Sequence, residues 1–213
     1  AGGSFRFDRY YGITDQLYAP DAVPPVITTH AAYSQQFGFP TGAYNTSGLG
    51  LEAVFDTRDS TINAYRGWYL NASYRFYPEW LGSTRNAQLL YGEARTYVSL
   101  SADVPRNVLA FWVLAQGVTS GQLPYLALPS IGWDFAGRTG RGYVQGRFRG
   151  TAEVYAEAEF RFRITGDGFL GGTVFANAST FASPALGVPG YATPGEGLFS
   201  RIRPAGGVGL RFM

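Results

Sequence analysis

Apolar and polar residues alternate along most of this chain, and the alternation breaks at clusters of glycine and proline. The longest regular stretch covers 151–164. Ala152, Val154, Ala156, Ala158, Phe160, Phe162 and Ile164 fall on one face, with Glu153, Tyr155, Glu157, Glu159, Arg161 and Arg163 on the other. A period of two marks a strand, because successive side chains leave opposite faces of the pleat. The theme repeats at 68–77, 90–100 and 170–179, and further strands are expected at 5–11, 31–39, 49–56, 108–117 and 205–212. That makes about nine strand candidates and no convincing helix. Strands of soluble sheets average ~5–6 residues, whereas a tilted membrane strand needs about 9–11.

The gaps between strands are of two kinds. Those at 59–66 and 165–168, the latter ending on Gly168, are short and turn-like. Those at 16–29, 120–149 and 183–200 are long and rich in Gly and Pro. Short turns at one end and long loops at the other are the arrangement of an outer-membrane barrel. Aromatics gather near strand ends, as at Trp68-Tyr69 and Phe76-Tyr77-Pro78-Glu79-Trp80, where an interfacial girdle belongs. The apolar faces carry many Ala, Gly and Val, which fill a soluble core poorly but suit lipid. The expectation is an all-β chain: an antiparallel transmembrane β-barrel forming a single domain over 1–213. A soluble β-barrel or sandwich is the competing reading of the same alternation.

Composition narrows the choice. Aromatics make up 16% of the 213 residues and charged residues only 15%, against roughly 25% for an average soluble domain. All 17 basic residues are arginine. The mean hydropathy of −0.07 looks soluble, yet a barrel with an apolar outside and a polar inside averages to the same value. No run of ~18 apolar residues exists, which excludes a helical membrane span. Without cysteine and with one histidine, the chain offers neither a disulfide framework nor a metal cluster. No cofactor and no nucleic-acid partner are expected. No signal peptide is visible, so the chain reads as a mature or excised one.

Few residues invite a chemical role. His30 has no second ligand or triad partner in sequence reach, and no nucleophile pairs with a base, so an enzyme is the least favoured class. Asp56, Arg58 and Asp59 read as a strand end and turn in which Arg58 neutralises the carboxylates. Glu153, Glu157, Arg161 and Arg163 are expected to pair across strands inside a lumen. The Gly-rich stretch at 137–142 is followed by no helix, so it is not a phosphate loop. The exception is the segment around Arg138, Gly140, Arg141, Gly142, Tyr143, Gly146, Arg147, Arg149 and Gly150. So many arginines and glycines suit a loop that folds back and sets a guanidinium against carboxylates. Glu157 and Glu159 on the next strand are within reach. A loose basic external loop is the alternative.

Ordered motifs add a resemblance. Residues 48–58 (GLGLEAVFDTR) followed by Arg66-Gly67-Trp68 resemble the strand–turn–strand of the bacterial surface antigen family, the outer-membrane protein insertase superfamily of BamA- and TamA-type barrels. Residues 128–132 (LPSIG), then Arg141-Gly142-Tyr143 and Gly146-Arg147-Phe148-Arg149, resemble that family's sixth external loop. The runs 156–162 (AEAEFRF) and 174–181 (VFANASTF) follow in the expected order. The resemblance implies a barrel of about sixteen strands, with POTRA domains ahead of it that have no counterpart here, so the chain is expected to be a partial record, with a reduced barrel closed by the strand at 205–212 as the alternative. It also implies that Arg141 tucks into the lumen against Glu159. The family's second acidic position falls on Asn177, which replaces an aspartate and leaves Arg141 an amide acceptor there. The implied role is outer-membrane protein assembly or polypeptide translocation in a bacterial outer membrane. The implied partners are outer-membrane lipid and client or partner outer-membrane proteins. A structural or accessory barrel is the alternative, and a small-solute pore is disfavoured because a tucked loop plugs it.

Overall fold

A computed structural model describes residues 1–101, 107–134, 139–167 and 169–212. Gly137, Arg138 and Gly168, named above, lie outside them. Eight strands form one antiparallel sheet: β1 (Gly2–Tyr10), β2 (Tyr44–Asp56), β3 (Gly67–Tyr77), β4 (Ala87–Ser99), β5 (Val108–Gly121), β6 (Ala152–Arg163), β7 (Leu170–Ala182) and, beyond a small excursion, β10 (Arg203–Phe212). The excursion is a hairpin of β8 (Leu186–Val188) and β9 (Tyr191–Thr193). Neighbours in sequence are neighbours in the sheet, and β10 pairs with β7. β1 and β10 are the two edges and do not pair with each other among the described residues, so the sheet is an open wall.

Strands of 9 to 14 residues reach the length a tilted membrane crossing requires. Their two faces separate as the alternation demands. Phe5, Leu51, Trp68, Leu90, Phe111, Val113, Phe160, Val174 and Leu210 point outward and are exposed. Tyr91, Glu93, Trp112, Leu114, Glu153, Tyr155, Glu159 and Asn177 are buried on the concave side. A water-soluble sheet buries its apolar face, and this sheet does the reverse, which fits lipid outside and a polar lumen inside. The connections that follow β1, β5 and β7 leave the sheet at one end, and those that follow β2, β4 and β6 leave it at the other.

One expected strand is a helix. Residues 29–37 form α1 (Thr29–Phe37) instead of the strand foreseen at 31–39. The reason lies at its ends: the Thr28 hydroxyl accepts from the Ala31 amide, and Gly38 closes the helix at φ 70°, a pairing of N-cap and left-handed glycine that favours helix over strand. With α1 removed, the eight other expected strands match the eight of the sheet, and only the three-residue β8 and β9 were not foreseen. α1 packs with Phe39, Tyr77, Leu123, Leu128 and Leu186 into an apolar cap over the long-loop end.

His30 sits in this cap. Its Nδ1 lies 3.9 Å from Asp15 and its ring 5.6 Å from that of Tyr125, while Nε2 is buried without a hydrogen-bond partner. Burial depresses its pKa below the ordinary 6.5, aided by nearby Arg149 and opposed by Asp15. The unfolded cap therefore takes up a proton that the folded cap resists, so its stability falls as pH drops through about 6.5. Limited proteolysis within 11–43 should quicken between pH 7.5 and pH 5, and His30→Gln should flatten that response. An identical response in His30→Gln would remove His30 as its cause.

Candidate functional site

The described residues of the loop 122–151 do not project outward. The loop leaves β5, makes a short 3₁₀ turn at Tyr125–Ala127, and folds against the concave face of the sheet. Its stem is a pinched pair of strands of chain: the Ile131 amide donates to Phe148, Gly146 to Ile131 and Gly150 to Pro129, with an isolated bridge between Ser130 and Arg149. Arg149 staples this stem, one nitrogen donating to the carbonyls of Tyr125, Leu126 and Leu128 at 3.2, 2.7 and 3.1 Å. Arg147 packs beside Phe148. Asp134 steadies the tip by accepting from both the amide and the hydroxyl of Thr139.

The tip presents Arg141 between two glycines. Gly140 (φ 73°) and Gly142 (φ 100°) lie in the left-handed region, which a side chain enters only at a cost of roughly 1–2 kcal/mol. Space is short as well, severely at Gly140 and slightly at Gly142. A Cβ on Gly140 would stand 2.2 Å from Ile131 Cγ1, and one on Gly142 would meet Ala205 on β10. Two tight turns in succession aim the intervening guanidinium at the wall.

It lands on a square of four residues. Glu157 and Glu159 of β6 lie directly opposite Asn177 and Phe175 of β7. Arg141 grips Glu157 with two parallel bonds, Nε to Oε2 at 2.9 Å and Nη2 to Oε1 at 2.5 Å. The same Nη2 also donates to Glu159, which takes a further bond from Arg161. The guanidinium lies 3.8 Å from the Phe175 ring centroid, close enough for cation–π attraction. The Tyr155 hydroxyl completes Glu157 at 2.7 Å. The fork-on-carboxylate geometry is one that lysine cannot reproduce.

Asn177 is turned the other way from expectation. Its Nδ2 donates to the backbone carbonyl of Arg141 at 3.0 Å, and its Oδ1 is buried without a partner. It holds the loop's backbone and does not accept from the guanidinium, because a carbonyl beside it can only accept. Glu157 supplies the second carboxylate instead. Alternation placed Glu157 on the correct face, but only the register of β6 and β7 shows that it outranks Asn177. Tyr143 reaches further and donates to the Pro204 carbonyl of β10 at 2.7 Å.

The cross-strand pairing expected of Glu153, Arg161 and Arg163 does not form, and the ion pairs of the wall mostly run along one strand. Arg95 bonds Glu93, Arg161 bonds Glu159 and Arg6 bonds Asp8, since residues two apart share a face. Glu153 takes only an amide, from Gln116 at 2.7 Å, and Arg163 a backbone carbonyl. Asp56 and Arg58 pair at 2.7 Å on the β2–β3 turn, away from the loop tip, while Asp59 accepts from the amides of Tyr65 and Arg66. A cavity of about 480 Å³ lies beside the Arg141 cluster, and another of about 440 Å³ separates the loop from β1–β3.

A family model described as the Omp85 superfamily domain matches residues 27–213, a span that contains the loop and all its acceptors. The chain belongs to the Omp85 superfamily. Among solved structures the Omp85 wall is similar to BamA from Haemophilus ducreyi lacking POTRA domains 1-3. The TM-score is 0.65 at 16% identity, over 87% of this chain and 41% of that one. Identity at that level speaks for the fold alone, and this chain spans less than half the length of that structure. No curated protein matches the chain. The Omp85 assignment agrees with the resemblance read from the ordered motifs.

Proposed function

We propose that this chain forms part of the wall of an Omp85 barrel in a bacterial outer membrane, where it serves the insertion or translocation of outer-membrane polypeptides. The loop held by Arg141 on Glu157 and Glu159 carries this reading: it fixes a folded segment inside the lumen instead of leaving an open bore. The space inside supports a wide barrel. A closed eight-stranded barrel has room for little more than its own side chains, whereas this wall encloses a tucked loop and two cavities. Because lipid offers no partner to an open strand edge, β1 and β10 must pair with strands beyond this sheet. The role is non-enzymatic: work is done by wall, loop and seam, with no bond made or broken.

A structural or accessory barrel is the second reading, and Asn177 favours it. An amide that holds the loop's backbone makes the loop a fixed plug. Depletion in the native host tests the two. Insertion activity requires that the folded levels of other outer-membrane proteins fall as this protein is lost. Unchanged levels would remove that activity and leave the accessory role.

A further inference from the structure

The cavity of about 440 Å³ between the loop and β1–β3 takes no part in the Arg141 lock. The groups that line it among the described residues belong to β1–β5 and to the loop. Trp133 enters it from the loop side. Residues 130–133 form a tight turn in which the Trp133 amide donates to the Ser130 carbonyl at 3.0 Å. Gly132, third in that turn, has φ 75°, as glycine allows at the third position of a type II turn. Ser130 and Ile131 are buried beneath it, and the indole Nε1 lies 3.3 Å from where a Cβ on Gly146 would stand. The ring is held from behind, yet Trp133 is 64% exposed. It offers a flat apolar platform with one donor at its edge.

Opposite the loop, the wall offers hydrogen bonds without spare charge. Arg6 is paired with Asp8 at 2.7 Å and Arg75 with Glu52 at 2.9 Å, and Asp134 is engaged by Thr139. Asn71 and Ser73 of β3 also line the cavity, and among the described residues their side chains have no hydrogen-bond partner. Each can both donate and accept. The backbone is committed, since β3 pairs with β2 on one side and β4 on the other over 69–76. An extended peptide therefore has no strand here to add to, and a charged ligand finds the counter-charges taken. A neutral ring that bears hydroxyls fits what is left: its C–H face lies on an indole, and its hydroxyls meet an amide and a hydroxyl. The volume falls within the roughly 300–1,000 Å³ of small-molecule sites. We propose that this cavity binds a neutral saccharide of one or two rings, with Trp133 as its platform and Asn71 and Ser73 as its hydrogen-bonding wall. The site stands apart from the handling of polypeptide and does not depend on it.

Saturation-transfer NMR of the full-length protein in lipid discs tests it. The neutral probes are glucose, N-acetylglucosamine, maltose and N,N′-diacetylchitobiose, and the charged ones are glucuronate and glucosamine. At least one neutral probe should bind saturably, with the charged probes weaker on the order of tenfold because their charge is buried unpaired. Trp133→Ala should weaken binding on the order of tenfold, and Asn71→Ala on the order of fivefold. The Asn71 amide serves no contact in the fold, so Asn71→Ala should keep the wild-type conversion temperature on gels. If Trp133→Ala fails to fold, Trp133→Leu is read against the same expectation. A six-ring chain of the sugar that binds separates two sources: equal binding points to the end of a longer glycan and exclusion to a free sugar, and both support the site. Absence of saturable binding by every neutral probe overturns it. So does binding that the Trp133 and Asn71 variants leave unchanged, or charged probes that bind as tightly as neutral ones.

Discussion

Arg141→Ala should lower the temperature at which the folded barrel converts to its unfolded form on denaturing gels by several degrees, the largest effect of any single change in the loop. The substitution removes two bonds to Glu157 and one to Glu159. It leaves the Glu157 carboxylate, 10% exposed, without a cation, while Glu159 keeps only Arg161. Stranding one partner of a buried ion pair costs about 3–5 kcal/mol, and Arg141's own 34% exposure places the value near the lower end. The cation–π contact with Phe175 is lost as well. Arg141→Lys should recover only part of the loss, since an ammonium cannot span both Glu157 oxygens. Adding Glu157→Gln to Arg141→Ala should recover stability, because the stranded charge goes with it. A conversion temperature equal to wild type would show that the loop is not held by this cluster.

Asn177→Asp should destabilise the barrel by about 2–3 kcal/mol, although it restores the residue that the surface antigen resemblance places there. Three observations set the sign. Asn177 donates to the Arg141 carbonyl, and an ionised carboxylate has no proton to give. Its position lies directly opposite Glu157, and like charges facing across strands are unfavourable. Arg141 is already engaged by Glu157 and Glu159, so a third carboxylate finds it occupied. The conversion temperature again measures the outcome. Asn177→Asp combined with Glu157→Gln should regain part of the loss by removing the repulsion. A more stable Asn177→Asp would mean that the guanidinium prefers the family's arrangement, and the amide would then be a defect and not a replacement.

These two results bear differently on function. Arg141→Ala frees the loop by removing its charged grip, and Asn177→Asp disturbs its backbone while leaving the grip in place. An Omp85 barrel that needs its loop fixed should suffer in both. One that needs the loop to move should tolerate Asn177→Asp better than Arg141→Ala.

Much of this was open to reading along the chain. A strand with lipid on one side and a polar lumen on the other must alternate at every step, so the period of two over 152–163 or 67–77 fixed each face without any knowledge of neighbours. Loop lengths told the two ends apart for the same local reason. Glycines beside Arg141 marked a turn, and the ordered motifs marked the family. α1 escaped because a nine-residue helix with mixed surroundings shows no clean period, and only Thr28 and Gly38 announced it.

What the sequence by itself could not set was partnership across distance. That Glu157 and not Asn177 takes the Arg141 fork depends on the register of β6 against β7 and on where two glycine turns aim the loop. That Asn63 holds Arg211 depends on how the sheet curves, which no residue encodes alone. Alternation is a local property of a pleated strand in contact with lipid. An ion pair or an amide contact is a meeting of chain segments, decided only when register, curvature and loop path are settled together.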